Sequence, residues 1–333
     1  MSKRRRGEIA PQHKHMILLI LVLAVLLLTV LFAYGAYRKT FYSNRRRVEN
    51  IYEISAKTPE EIAQRTHSLI REMDGREYEP IEIRSDDGLR LCARYYHVAD
   101  GAPLHIQFHG YRSYAMRDFC GGNALARECG HNTLLVDQRA HGRSEGHTIT
   151  FGIKERIDCL RWVEYATRRF GTETPIFLSG VLMGAATVLM ATELNLPSNV
   201  VGVIADCPYS SPRAIIRKVI GDMGLPVKAA YPFVCIGAWL FGGIRGLSRH
   251  GAVQAVKHAT VPILLFHGEA DDFVPCDMSR EIEKACASAV RLETFPDADH
   301  AMCYMTDYDR YRQATIAFVQ SCLNTFEDKE ERK

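Results

Sequence analysis

The sequence predicts an α/β protein with a mostly parallel central sheet flanked by helices. Two observations carry that prediction. Short apolar runs rich in branched residues ("LHIQF", "NTLLVD", "PIFLSG", "NVVGVIAD", "PILLFHG", "VRLETFP") recur between residues 104 and 296, with helical stretches such as 152–170 and 183–194 among them. Strands buried on both faces read as such unbroken runs, and their alternation with helices marks crossover connections in a parallel sheet.

Residues 16–37, "MILLILVLAVLLLTVLFAYGAY", carry no charge. At 1.5 Å per residue they can cross a hydrocarbon core about 30 Å thick. "FAYGAYRKT" lacks the small-x-small pattern of a cleaved secretory signal, so the segment reads as a single-pass anchor in the cell membrane, with the lipid bilayer as its partner. Residues 1–15 form a basic tail. Five Lys or Arg lie on each side of the span, so the charge rule for orientation is tied. The short basic tail favours an extracytoplasmic body. Ten cysteines without a Cys-x-x-Cys pair favour a reducing side, read as small buried hydrophobes, and lack metal-ligand spacing. Residues 1–47 are net +9 in a chain of net +3, leaving a body of −6. Basic ends around an apolar run point to a membrane and away from nucleic acid.

Residues 38–78 read as a basic juxtamembrane and helical spacer, with Thr58 as helix cap, Pro59 first, and two acids after it. "EPIEIRSDDGLRLCARYY" reads as a hairpin about an Asp-Asp-Gly turn, which starts the folded domain, residues 79–328. An insertion at residues 212–258, containing "YPFVCIGAWLFGGI", falls between the sixth and seventh strands. It is a candidate lid over a pocket.

Four turns follow C-terminal strand ends, where open α/β sheets place their ligand sites. In "QFHGYRS" a glycine turn can aim the Tyr111 N–H at a developing oxyanion. In "FLSGVLMGAAT" Gly180 and Gly184 have the spacing of a nucleophile elbow, Gly-x-Ser-x-Gly, and Met183 offers the second N–H, but the middle residue is Leu182. In "LLFHGEADDFVP" Asp271 is placed to orient an imidazole, with Asp272 beside it, and in "ETFPDADHAMCY" His300 follows the last strand.

The order elbow, Asp, His, together with "VDQRAHGRSEG" at residues 136–146, resembles the α/β-hydrolase family from residue 79 to the C-terminal helix at 308–326. It is most similar to bacterial membrane-anchored members of the serine-aminopeptidase, monoglyceride-lipase and esterase type. The resemblance implies hydrolysis of a small acyl or ester substrate by a Ser-Asp-His mechanism without cofactor or metal. Asp271 and His300 would complete the triad, and the 136–146 loop would be structural, braced by Asp137 and Arg139. Leu182 departs from the pattern. It has no lone pair for attack and no proton to give, so no acyl-enzyme forms there. Ser179 lies inside the preceding strand, Thr187 lies in the helix, and no cysteine falls on the elbow. The sequence is compatible with a disabled copy of an active hydrolase, with a pseudoenzyme that binds a ligand or partner through pocket and lid, and with a structural membrane protein.

Overall fold

The computed structural model describes residues 11–44, 51–54 and 58–332. The basic tail up to residue 10, Arg45 to Arg47 and residues 55–57 of the expected helix start lie outside them. In chain order the elements are α1 (Pro11–Thr40), α2 (Glu60–Asp74), β1 (Glu79–Arg84), β2 (Arg90–Tyr96), β3 (Leu104–Phe108), α3 (Ala115–Glu128), β4 (Asn132–Asp137), α4 (Glu155–Phe170), β5 (Ile176–Val181), α5 (Met183–Ala191), β6 (Val200–Asp206), α6 (Pro212–Asp222), α7 (Val227–Gly242), α8 (Ala252–Ala255), β7 (Ile263–Gly268), α9 (Asp277–Ala285), β8 (Val290–Phe295), α10 (Cys303–Thr306) and α11 (Tyr308–Glu330).

The eight strands form one sheet in the order β1-β2-β4-β3-β5-β6-β7-β8. The β1–β2 hairpin and the β2–β4 pair are antiparallel, and every other pairing is parallel. The apolar runs are unbroken because alternate residues feed opposite layers. Leu178, Val203 and Leu265 pack with Trp162 of α4 and Val188 of α5. Phe177, Ile204 and Phe266 pack with Tyr311 and Val319 of α11. The Asp86-Asp87-Gly88 turn closes the hairpin, with Gly88 at φ 85.

Three sequence readings change. Thr58 does not cap α2: the cap position is Pro59, with no side-chain capping bond, since proline's fixed φ already sets the entry into the first turn. Residues 38–78 are not a detached spacer. Ile70 and Met73 of α2 are buried against Met116 and Phe119 of α3, and Tyr37 and Phe41 enter the cluster beneath the lid, so the packed body begins well before Glu79. Cys207 is more than a small hydrophobe, because its thiol donates to Asp206 Oδ1 at 3.2 Å.

The insertion is helical. Ile215, Ile216, Tyr231 and Val234 of α6 and α7 cover Met183, Ala186 and Met190 of α5, together with Phe151 and Tyr209.

Candidate active site

The turn from β5 into α5 keeps the backbone of an elbow. Leu182 stands at φ 57, ψ −114, a conformation that costs a non-glycine residue about 1–3 kcal/mol. The tightness of the turn leaves no room for side chains beside it. A Cβ on Gly180 would lie 2.3 Å from the Gly184 carbonyl oxygen, and one on Gly184 would lie 1.7 Å from that of Phe108. Leu182 is held by its N–H on the Asp206 carbonyl at 2.8 Å and by its own carbonyl, which accepts from Ala186 at 3.0 Å.

Such strain is concentrated at this edge. Among the described residues, the non-glycine positions with positive φ are Arg112, Ala140, Phe151, Leu182, Cys207 and Ala301. All six lie in loops that follow C-terminal strand ends, and clustering of this kind accompanies functional sites.

The acid and the histidine meet. His300 Nδ1 lies 2.8 Å from Asp271 Oδ2, while Asp271 Oδ1 accepts the N–H groups of Phe273 and Val274 at 2.9 and 2.7 Å. The carboxylate is thereby fixed and buried, and the imidazole remains partly exposed, with the Phe273 ring edge-on at 4.9 Å. Asp272 is not the partner. Its backbone carbonyl receives the Lys218 ammonium.

The loop before α3 is built to present one N–H. Gly110 donates to Asp118 Oδ2 at 2.8 Å and Arg112 to His141 Nε2 at 2.9 Å. Between them, the Tyr111 N–H makes no hydrogen bond among the described residues, nor does that of Met183 at the first position of α5. Leu182 intrudes on this arrangement: a Cβ on Gly110 would lie only 2.9 Å from Leu182 Cδ1. The isobutyl group therefore lies against the residue directly before Tyr111. Ser179 faces elsewhere, 3.4 Å from His105 Nδ1 in the interior, and the Thr187 hydroxyl donates to the Met183 carbonyl at 2.9 Å.

The 136–146 loop is a brace. Arg139 binds Asp158 through two bonds of 2.5 and 2.6 Å and also reaches Asp87. Asp137 pairs with Arg143 and Arg94. Gln138 and His141 then clasp the 109–112 loop, Gln138 through the His109 carbonyl and His141 through the Arg112 N–H. A cavity of about 330 Å³ adjoins the elbow, lined among others by Asp118, Val181, Asp206, Ala301, Met302 and Tyr304.

Sequence spacing missed three features. Asp118 holds both Gly110 and the Ser113 hydroxyl, and its position eight residues after Gly110 carries no distinctive signal. Asp206, Cys207 and Cys303 converge behind the site, as do Cys207, His267 and Asp271, each set with ligand atoms within 4.8 Å. Their separation in sequence hides them. Burial pushes the Asp206 carboxyl up to about 6, against hydrogen bonds from Cys207, Tyr311 and Cys303.

The dienelactone hydrolase family model matches residues 227–328, a stretch that includes Asp271 and His300 and excludes the elbow. The chain is 24% identical over 281 residues to the uncharacterized protein YqkD of Bacillus subtilis (82% of this chain, 91% of that one). It is 23% identical over 279 residues to a non-heme chloroperoxidase of Burkholderia pyrrocinia (72% and 99%). In structure it is similar to the Pyrococcus furiosus esterase Pf2001, with TM-score 0.62 and 22% identity over 84% of this chain and 98% of that one. It is also similar to Est1E of Butyrivibrio proteoclasticus with ferulic acid bound, with TM-score 0.55 and 22% identity over 73% and 99%. With its sheet order and these structural neighbours, the chain has the α/β-hydrolase fold.

Proposed function

We propose that this chain is a membrane-anchored hydrolase of the ester-cleaving type whose nucleophile position is occupied by Leu182, leaving it unable to form an acyl-enzyme. The observation that carries this reading is the contrast at residue 182: the strained backbone of a nucleophile turn is kept with a side chain that cannot react, beside a His300–Asp271 pair at 2.8 Å. A leucine gains nothing from that φ and ψ. A serine there would expose its Oγ at the sheet edge, His300 would take its proton, Asp271 would hold the ring and stabilise the imidazolium, and the Tyr111 and Met183 N–H groups would receive the oxyanion. The substrate is a small acyl ester, and α1 supplies the anchor.

The test compares the protein with its Leu182→Ser form for turnover of p-nitrophenyl esters of two to eight carbons and for labelling by a fluorophosphonate. The serine form is expected to gain about 10³-fold or more and to label at residue 182. A silent serine form would sink the hydrolase reading, and equal turnover by the leucine form would sink the assignment of residue 182. Flotation of the full chain with lipid vesicles tests the anchor separately.

A further inference from the structure

The lid helix α7 is packed against the apolar N-terminal helix, and the contact is close. A Cβ on Gly237 would lie 2.3 Å from the Ala33 carbonyl oxygen. Phe32 meets Phe233 at 5.7 Å, while Tyr34 and Tyr37 meet Phe241 at 5.1 and 5.9 Å. These pairs advance together along both chains, so the helices run in the same direction. Along α1 the covered positions are Thr29, Ala33, Ala36, Tyr37 and Thr40, a stripe at helical spacing, whereas residues 16–28 are exposed all round. Helix α7 therefore accompanies only the last turns of α1, those next to the folded body. Its 16 residues span about 24 Å, too short for a second crossing of a core about 30 Å thick.

The face that α7 turns away from the body is apolar. Trp239 is 58% exposed, Leu240 45% and Phe241 38%, and Met223 and Leu225 before the helix are 44% and 45% exposed. Charge sharpens the pattern. The lid, residues 212–258, holds seven Lys or Arg against one acid, Asp222, and is net +6; residues 1–47 are net +9 in a chain of +3, so the remainder is −12. At the end of the apolar span next to the lid, the last turn of α1 carries Arg38 and Lys39. Mutual repulsion makes that placement unfavourable in water and favourable beside anionic headgroups. Trp239 and Tyr34 stand level with the end of the span, as interfacial aromatic belts do.

We infer that the lid is a membrane-contacting element: the exposed apolar face of α7, with Trp239 at its centre, lies in the headgroup and outer acyl region of an anionic bilayer beside α1. The cover of the candidate active site is then held at the lipid surface by the anchor itself. This rests on the reading of α1 as an anchor.

The sequence supplies its own probe. The chain has two tryptophans: Trp162 is fully buried in the core, and Trp239 is exposed. Full-length protein is reconstituted in phosphatidylcholine vesicles with and without phosphatidylglycerol, its flotation is recorded, and fluorescence is measured with acyl chains brominated near the headgroup; the Trp239→Phe variant supplies the Trp162 background. The expected result is flotation, a blue-shifted Trp239 emission and loss of most of the Trp239 signal to the brominated lipid, with deeper quenching when phosphatidylglycerol is present. Flotation with unquenched Trp239 overturns the inference and leaves the anchor standing. Failure to float overturns both. An unquenched Trp239 whose emission changes with protein dilution assigns the face to a second copy of the chain, and equal quenching in the two lipid mixtures overturns the anionic-headgroup assignment.

Discussion

Leu182 and His300 stand on two turns at the same edge of the sheet, and the turns have kept different things. The β5 turn keeps its backbone: φ 57 at Leu182 and glycines on both sides that admit no Cβ. The β8 turn keeps its side-chain chemistry as well, with His300 on Asp271 and Asp271 on two backbone N–H groups. A site is therefore divisible. The geometry of such a turn is built into strand, turn and helix, whereas reactivity hangs on a single side chain.

The largest expected effect breaks the comparison directly. In the Leu182→Ser background, His300→Ala should lower ester turnover by about 10⁴ to 10⁶-fold, because nucleophile and base act as one unit. In the parent the same change should leave turnover where it was. Steady-state rates of the four proteins on one ester close the cycle, and a parent that loses activity with His300 would mean that some other nucleophile works with this imidazole.

The backbone half is tested by Gly184→Ala. With its Cβ 1.7 Å from the Phe108 carbonyl oxygen, the substitution must separate α5 from β3. We expect a loss of about 4 kcal/mol or more, the range reached when a core contact has no way to relax, measured by denaturant unfolding. Gly224→Ala, where open space surrounds the Cβ, is the control, limited to the strain of its positive φ.

These two halves were unequally legible in the sequence. Six strands could be read because continuous apolar runs are a local property, the hairpin because of its Asp-Asp-Gly turn, and the acid and histidine from their order along the chain. Gly180 and Gly184 stood out by spacing alone. What could not be read depends on contacts between distant segments. Nothing local marks Asp118 as the acceptor for Gly110, His141 as the acceptor for Arg112, or Gly237 as the point where α1 and α7 touch. The packing of residues 38–78 was hidden for the same reason: Ile70 and Met73 become core residues only once α3 lies beside them.

A smaller effect concerns the cost of restoring function. Leu182 is partly buried and packs at the edge of the cluster formed by Phe177, Cys207 and Cys303. Serine would keep the strained backbone and give up that apolar contact. Leu182→Ser should therefore lower unfolding stability by about 1–2 kcal/mol, seen as a reduced denaturant midpoint at constant slope. A serine form as stable as the parent would mean that Leu182 contributes no packing.

An effect of similar size is expected behind both turns, at Asp206, whose carbonyl holds the Leu182 N–H. Burial raises its carboxyl to about 6, so the folded state binds the proton more tightly than the unfolded chain, in which an aspartate titrates near 3.9. Stability from this group is full below about pH 4 and falls as pH rises through about 6, where the buried carboxylate must ionise. Asp206→Asn removes that penalty while giving up an acceptor for Cys207. Whatever the neutral substitution costs at pH 4, the variant should recover ground relative to the parent between pH 4 and 7, by about 1–3 kcal/mol. Thermal unfolding of the two proteins across that range measures the difference, and a constant gap would show that Asp206 does not titrate there.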